Sequence, residues 1–223
     1  MEMATWVVHF RVAEYFLDKI DGLNKEEFIA GSVAPDCGYG GKDTGEFDPP
    51  PRVTHWSDTG MKKDCKYKDF YEAYLKGKEK QTAAYSFYLG YYVHLATDIM
   101  WSVTVYHATH RRFWGEFATD EEGFDKRMRK DWNDLDFKYL REHPDYEPYM
   151  ILANKGEVAD YLPYYEHNQL TVQSKFIVDY YKKEKTNEEL YRDYKYLTQE
   201  IVDNFIACAR ELIAKDLENK DLV

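Results

Sequence analysis

QTAAYSFYLGYYVHLATDIMWSVTVY, residues 81–106, reads as one long helix set deep in a protein core. At 100° per residue, Phe87, Tyr91, His94, Asp98, Trp101 and Val105 share one face. His94 and Asp98 are four apart, so both side chains leave that face together and can reach one ion. Unpaired imidazoles and carboxylates are costly in apolar surroundings, so buried charges are usually paired or bound to a metal. For these two residues alone, an ordinary helical His–Asp pair is an equally good reading.

Upstream, the spacing of Trp6, His9, Ala13, Phe16, Leu17 and Ile20 predicts a helix over 4–20 with His9 in its buried stripe. Asp21-Gly22 ends it, Asn24 with Glu26 and Glu27 starts a short second helix that stops near Gly31, and Ala34-Pro35 forces an extended approach to Asp36. Residues 36–66, with CGYGGKDTGEFDPPPR at their centre, form a loop of a length usually reserved for function or disorder. Because this loop contains His55 and lies between two candidate ligands, it is expected to be ordered and to roof the site. A further helix is expected over 67–77.

Downstream, Phe124, Met128, Trp132, Leu135 and Tyr139 mark a helix over about 122–142 with Asp131 inside its stripe. Two long helices, 160–183 and 187–218, complete the chain, and Lys182, Lys183, Glu184 and Lys185 read as a solvated face. No strand alternation persists and no repeat is visible. The expectation is a single all-α domain over 1–223, a multi-helix bundle.

The formal charge of −11 and pI near 5.1 repel long polyanions and anionic membrane surfaces, so no nucleic-acid partner is expected. Divalent cations would offset that charge in one cleft, so a small phosphate substrate stays compatible with it. The 21 tyrosines suit a half-polar core and a lined cleft, although AT-rich codon usage explains them equally well. Three cysteines without a CxxC pair look like reduced thiols, and MEMATWVVHFRVAEY does not resemble a secretory signal. No stretch is apolar enough to span a bilayer, and the expected compartment is the cytoplasm. A phosphate-binding GxxxxGK loop, GxGxxG, HExxH, an adjacent His-Asp dipeptide and a GxSxG elbow are all missing.

His9, Asp36, His55, His94 and Asp98 stand out as five potential ligands, each inside or beside an apolar segment, although taken alone His9 reads first as a satisfied core histidine and His55 as a surface loop residue. Imidazole plus carboxylate suits zinc, or manganese and iron at higher coordination. The segments WVVHFRVAEYFL, FIAGSVAPDCG, VTHW and YSFYLGYYVHLATDIMW resemble the zinc-dependent phospholipase C family. They follow that family's order: a helical His, a G-x-x-APD turn, a loop His, then G-x-x-x-H-x-x-x-D on a helix. The likeness covers residues 4 to 106. It implies an all-α fold, related to secreted single-strand nucleases, that houses a zinc cluster. It also implies that Asp36, His55, His94 and Asp98 hold one ion, and that His9 and Asp98 share a second with Asp98 bridging. Asp36 is then the expected proton acceptor beside the attacking water, a role its loop position also suits.

Two departures qualify the likeness. The secreted members complete a site with the amino group of a processed N-terminus, whereas this chain opens on an unprocessed-looking methionine. They also hold a further ion with a late His and an H-x-x-x-E pair, which this chain lacks. Asp131 is the best substitute ligand, the alternative being a carboxylate paired to a lysine or tyrosine. His107 and His110 read as surface residues or, at most, substrate-phosphate contacts. The expected function is a metal-dependent phosphoric-ester hydrolase with two ions, acting on a small phosphate ester in preference to a phospholipid head group, in a cleft walled by Tyr91, Trp101 and Trp56. The alternative is a non-catalytic helical domain with a structural metal site.

Overall fold

Apolar periodicity and capping residues place the helices of the computed structural model, which describes residues 2–40 and 46–222. α1, Trp6–Glu14, buries Val7, Val8, His9, Phe10, Val12 and Ala13. It stops well short of residue 20, because Phe16 and Leu17 bond back three residues, to the carbonyls of Ala13 and Glu14, and tighten the chain into turns. α2, Lys25–Gly31, is capped by Asn24, whose side chain accepts from the Glu27 amide, with Glu26 and Glu27 at its positive end. A 3₁₀ turn at Ala34–Asp36 follows.

The long segment that comes next is built of small pieces. β1, Tyr39–Gly40, pairs antiparallel with β2, Phe47–Asp48, and α3, Pro51–Thr54, leads to His55. The loop tip at 41–45 lies outside the described residues. α4, Tyr67–Tyr74, packs on α5, Ala83–Trp101, which Thr82 caps. A π turn over Ser102–Tyr106 connects α5 to α6, His107–Arg112, and α7, Trp114–Thr119. Then come α8, Glu121–Glu142, α9, Glu147–Asn154, α10, Gln169–Tyr181, α11, Asn187–Leu190, and α12, Gln199–Asn219. The fold is all-α, as the sequence implies, with β1 and β2 the only strands among the described residues.

α5 is the core element, buried almost all round, with α1, α2, α4 and α12 against it. Two glycines set its closest crossing. A Cβ on Gly90 would lie 2.0 Å from the Phe28 carbonyl oxygen, and one on Gly31 2.0 Å from that of Phe87. Only bare backbone permits this approach, and it fixes the end of α2, and so the turn carrying Asp36, against the middle of α5.

The two C-terminal helices are shorter than their periodicity suggests, for tertiary reasons. Before α10, the segment 155–168 is drawn out to brace the loop around Asp36. Tyr165 donates to the Ala34 carbonyl (2.5 Å), and Gln169, following the left-handed Asn168 (φ 64°), donates to the carbonyls of Cys37 (3.0 Å) and Asp48 (2.7 Å). Between α11 and α12, the amides of Tyr196 and Leu197 turn inward to Asp131 (2.8 and 3.3 Å).

Asp136 on α8 is fully buried, accepting from Thr5 Oγ1 (2.7 Å) and the Tyr181 hydroxyl (2.6 Å). Burial pushes its carboxyl up to about 7 despite those bonds. The native state thus keeps a proton that the unfolded chain releases near pH 4. Stability from this group is present below that pH and is lost as pH rises through 7. Across that window this one carboxyl should withdraw on the order of 4 kcal/mol, read as the difference between the wild-type and Asp136→Asn profiles. Asp136→Asn should flatten this slope; urea midpoints measured from pH 4 to 8 check it, and parallel profiles for the two proteins would contradict it.

Candidate metal centre

The helix and the loop bring all five expected donors together. His94 lies on α5 with its Nδ1–H donating to the Ser32 carbonyl at the end of α2 (2.8 Å). That bond orients the ring and leaves the Nε2 lone pair facing inward. His55 enters from the end of α3, its Nδ1 beside Thr54 Oγ1 (2.9 Å), while the Tyr91 hydroxyl donates to the Thr54 carbonyl. The next residue, Trp56, is held in the left-handed region (φ 50°), with its carbonyl bound by the Lys66 amide (2.8 Å). This bulky residue at positive φ is local strain stored beside the site.

The donor atoms converge closely. His55 Nε2 lies 3.3 Å from His94 Nε2, 3.3 Å from Asp36 Oδ1 and 3.4 Å from Asp98 Oδ2, and His94 Nε2 is 3.4 Å from that same Asp98 oxygen. Donors placed tetrahedrally around zinc, each about 2.05 Å away, are about 3.3 Å apart. The His94–Asp36 edge is wider, at 3.9 Å. The other Asp98 oxygen, Oδ1, faces His9 Nε2 (3.3 Å) and accepts from the Ala4 amide (3.1 Å). The His9 ring stacks on His94 with centroids 3.6 Å apart.

Hydrogen bonds leave these groups unsatisfied. Both nitrogens of His9, both carboxylate oxygens of Asp36 and Oδ2 of Asp98 are buried without a hydrogen-bond partner. So many orphaned acceptors in one core are costly unless a cation completes them. Among the described residues two sets lie close enough to hold an ion, His55–His94–Asp98 and His9–Asp36–His94. They share His94, whose Nδ1 is already engaged, so its Nε2 serves one ion at a time.

Charge in the cluster follows the same logic. Burial alone would raise the Asp36 carboxyl, but the nearby His94 and His55 rings and the Lys62 ammonium outweigh it and hold it below its usual range. Asp98 is held lower still, burial being overcome chiefly by Lys62 and His94. Burial, with His9 adding to it, brings His94 down to about 4, so its imidazole is a neutral ligand at ordinary pH. Two thiols lie nearby, Cys37 and Cys65, but burial pushes both up, and protonated sulfur is a poor ligand.

A family model, zinc dependent phospholipase C, matches residues 8–212. The chain belongs to the zinc-dependent phospholipase C family. The match takes in all five donors and runs through the C-terminal half, well past residue 106. Neither a curated protein nor a solved structure matches the chain. For a zinc-dependent phospholipase C the donor set fits its metal: nitrogen and oxygen ligands, zinc-like spacing, and three buried carboxylate oxygens that no hydrogen bond satisfies.

The substitute ligand is corrected. Asp131 is paired with Arg192 (2.8 Å) and with the Tyr196 and Leu197 amides, and it stays apart from the cluster. Its inward position on α8 is genuine, but the partner is a guanidinium from the α11–α12 connection. His110 is corrected too: it is buried between the Tyr106 carbonyl (2.8 Å) and Asp125 (2.9 Å), while His107 faces Glu2 (3.1 Å). Tyr91 and Trp101 are fully buried in packing and do not wall the cleft. A cleft of about 370 Å³ opens on Asp36 and His55, and Phe47, Met61 and Tyr106 supply its apolar surface in their place. Sequence reading missed Lys62, which lines this cleft with its side chain only 4% exposed.

Proposed function

We propose that this zinc-dependent phospholipase C family member is a phosphoric-ester hydrolase whose centre is held by His9, Asp36, His55, His94 and Asp98. The observation that carries the reading is the zinc-like spacing of orphaned donors at the floor of an open cleft. A purely structural zinc would be enclosed on all sides by protein ligands, whereas here Asp36 and His55 face the cleft.

His55, His94, Asp36 and Asp98 would hold the first ion. His9, with Asp98, would help to hold a second. Zinc, when bound, polarises a phosphoryl group and makes an adjacent water acidic. Asp36 lines the cleft; its Oδ1 faces His55, and Oδ2, which like Oδ1 has no hydrogen bond, would take the proton of the attacking water. The Ser32 carbonyl keeps the His94 ring fixed while charge moves.

The substrate we favour is a small phosphate ester whose alcohol portion lies against Phe47 and Met61, which are 37% and 45% exposed at the cleft. No helix of the described residues is long and apolar enough to cross a membrane. The test is a panel of chromogenic phosphate esters, short-chain phosphatidylcholine, nucleotides and single-stranded DNA offered to the zinc-loaded protein. Turnover of the small esters is the expected result. Turnover of lipid or DNA alone overturns the substrate choice, and no turnover at all overturns the hydrolase reading.

A further inference from the structure

We propose that Lys62 is the residue that holds the substrate's phosphate beside the metal, an assignment that rests on the hydrolase reading above. Its Nζ stands 3.3 Å from Asp98 Oδ2 and 3.9 Å from Asp36 Oδ1. Among the described residues these are its only ion-pair partners. A buried ammonium needs such company, because desolvation without a counter-charge is expensive.

Both partners are also metal donors. Two carboxylates face this single ammonium, so it does not balance their charge by itself. A single dication at the same oxygens makes the cluster net positive, and the ammonium then faces carboxylates whose charge the metal already shares. An anion at the open side restores the balance, and a phosphate bound to the metal meets Nζ there.

The cleft walls make this position selective. Glu2, Glu121 and Asp125 also line the cleft, and Lys62 is the only lysine or arginine lining it among the described residues. An approaching phosphate is repelled elsewhere and drawn to the corner formed by the metal and Lys62. That orientation leaves the esterified group toward Phe47 and Met61.

Lys62 is also held in place before any ligand arrives. It begins the 3₁₀ turn Lys62–Asp64, which is tied to the preceding chain. Ser57 Oγ donates to the Asp64 carboxylate, Thr59 Oγ1 donates to its other oxygen (2.6 Å), and the Gly60 amide donates to Ser57 Oγ (2.9 Å). A preorganised cation loses little freedom on binding its anion.

The test compares zinc-loaded wild type, Lys62→Met and Lys62→Arg, reading zinc content by elemental analysis and the binding of inorganic phosphate by calorimetry. Equal zinc in all three is expected, with phosphate affinity about 10- to 100-fold weaker in Lys62→Met and largely restored in Lys62→Arg. Lys62→Gln repeats the measurement should the methionine variant not fold. Unchanged phosphate affinity in Lys62→Met overturns the assignment, as does a gain in zinc affinity with no change in phosphate, which would make Lys62 only a stand-in for the metal. Wild type that binds no phosphate overturns it as well. Phosphate binding that depends on Lys62, in a protein that hydrolyses nothing on the panel, would sink the hydrolase reading and leave this one standing.

Discussion

Replacing His94 with alanine is expected to weaken zinc binding by at least about 100-fold and to abolish hydrolysis with it. His94 belongs to both possible donor sets, so its loss cannot be made good by moving the ion to the neighbouring one. Asp36→Ala should behave similarly. Asp131→Ala and His143→Ala should keep the wild-type zinc content, because the first carboxylate serves Arg192 and the second ring is bonded to the Tyr139 carbonyl. Elemental analysis of the dialysed proteins separates these outcomes. Full zinc in His94→Ala, or its loss in Asp131→Ala, would contradict the arrangement.

Gly90→Ala should have the largest effect on the fold itself. In an uncrowded helix this change stabilises by roughly 1 kcal/mol through propensity alone. Here the new methyl would meet the Phe28 carbonyl at 2.0 Å, and a backbone atom cannot yield as a side chain does. α2 would have to move away from α5, a loss we expect to be at least about 3 kcal/mol. The same movement displaces the Ser32 carbonyl from His94 and shifts the turn carrying Asp36, so zinc affinity should fall together with stability. Urea unfolding with and without a chelator measures both. A variant as stable as wild type would show that the glycine crossing does not set the site.

His94 and Asp98 were legible because helical spacing and an apolar context are local properties. Asp36 and His55 became candidates through the family-like order of the APD turn and VTHW, since a loop histidine alone reads as a surface residue. Gly31 and Gly90 stood inside the quoted motifs, but their purpose, the close crossing of α2 and α5, becomes visible only in three dimensions. Asp131 shows the limit of periodicity: the pattern gives inward direction but not the partner, here an arginine 61 residues further along. His110 was misjudged because the π turn at 102–106 widens one turn and rotates the face that follows.

Lys62 was invisible for a related reason. In GMKKDCK a lysine reads as a solvated charge, and its burial comes from the folding of the 57–64 turn onto two aspartates distant in the chain. The C-terminal helices were overextended because the hydrogen bonds that draw 155–168 and 191–198 out of helix are made to distant elements. Local propensity carries no trace of them.

The central claim is that His and Asp side chains, and not the adjacent thiols of Cys37 and Cys65, hold zinc in this cleft. X-ray absorption at the zinc edge of the loaded wild-type protein tests it directly. The account predicts a first shell of nitrogen and oxygen alone, at about 2.0–2.2 Å. A sulfur shell at about 2.3 Å, or a protein that retains no zinc at all, would contradict it.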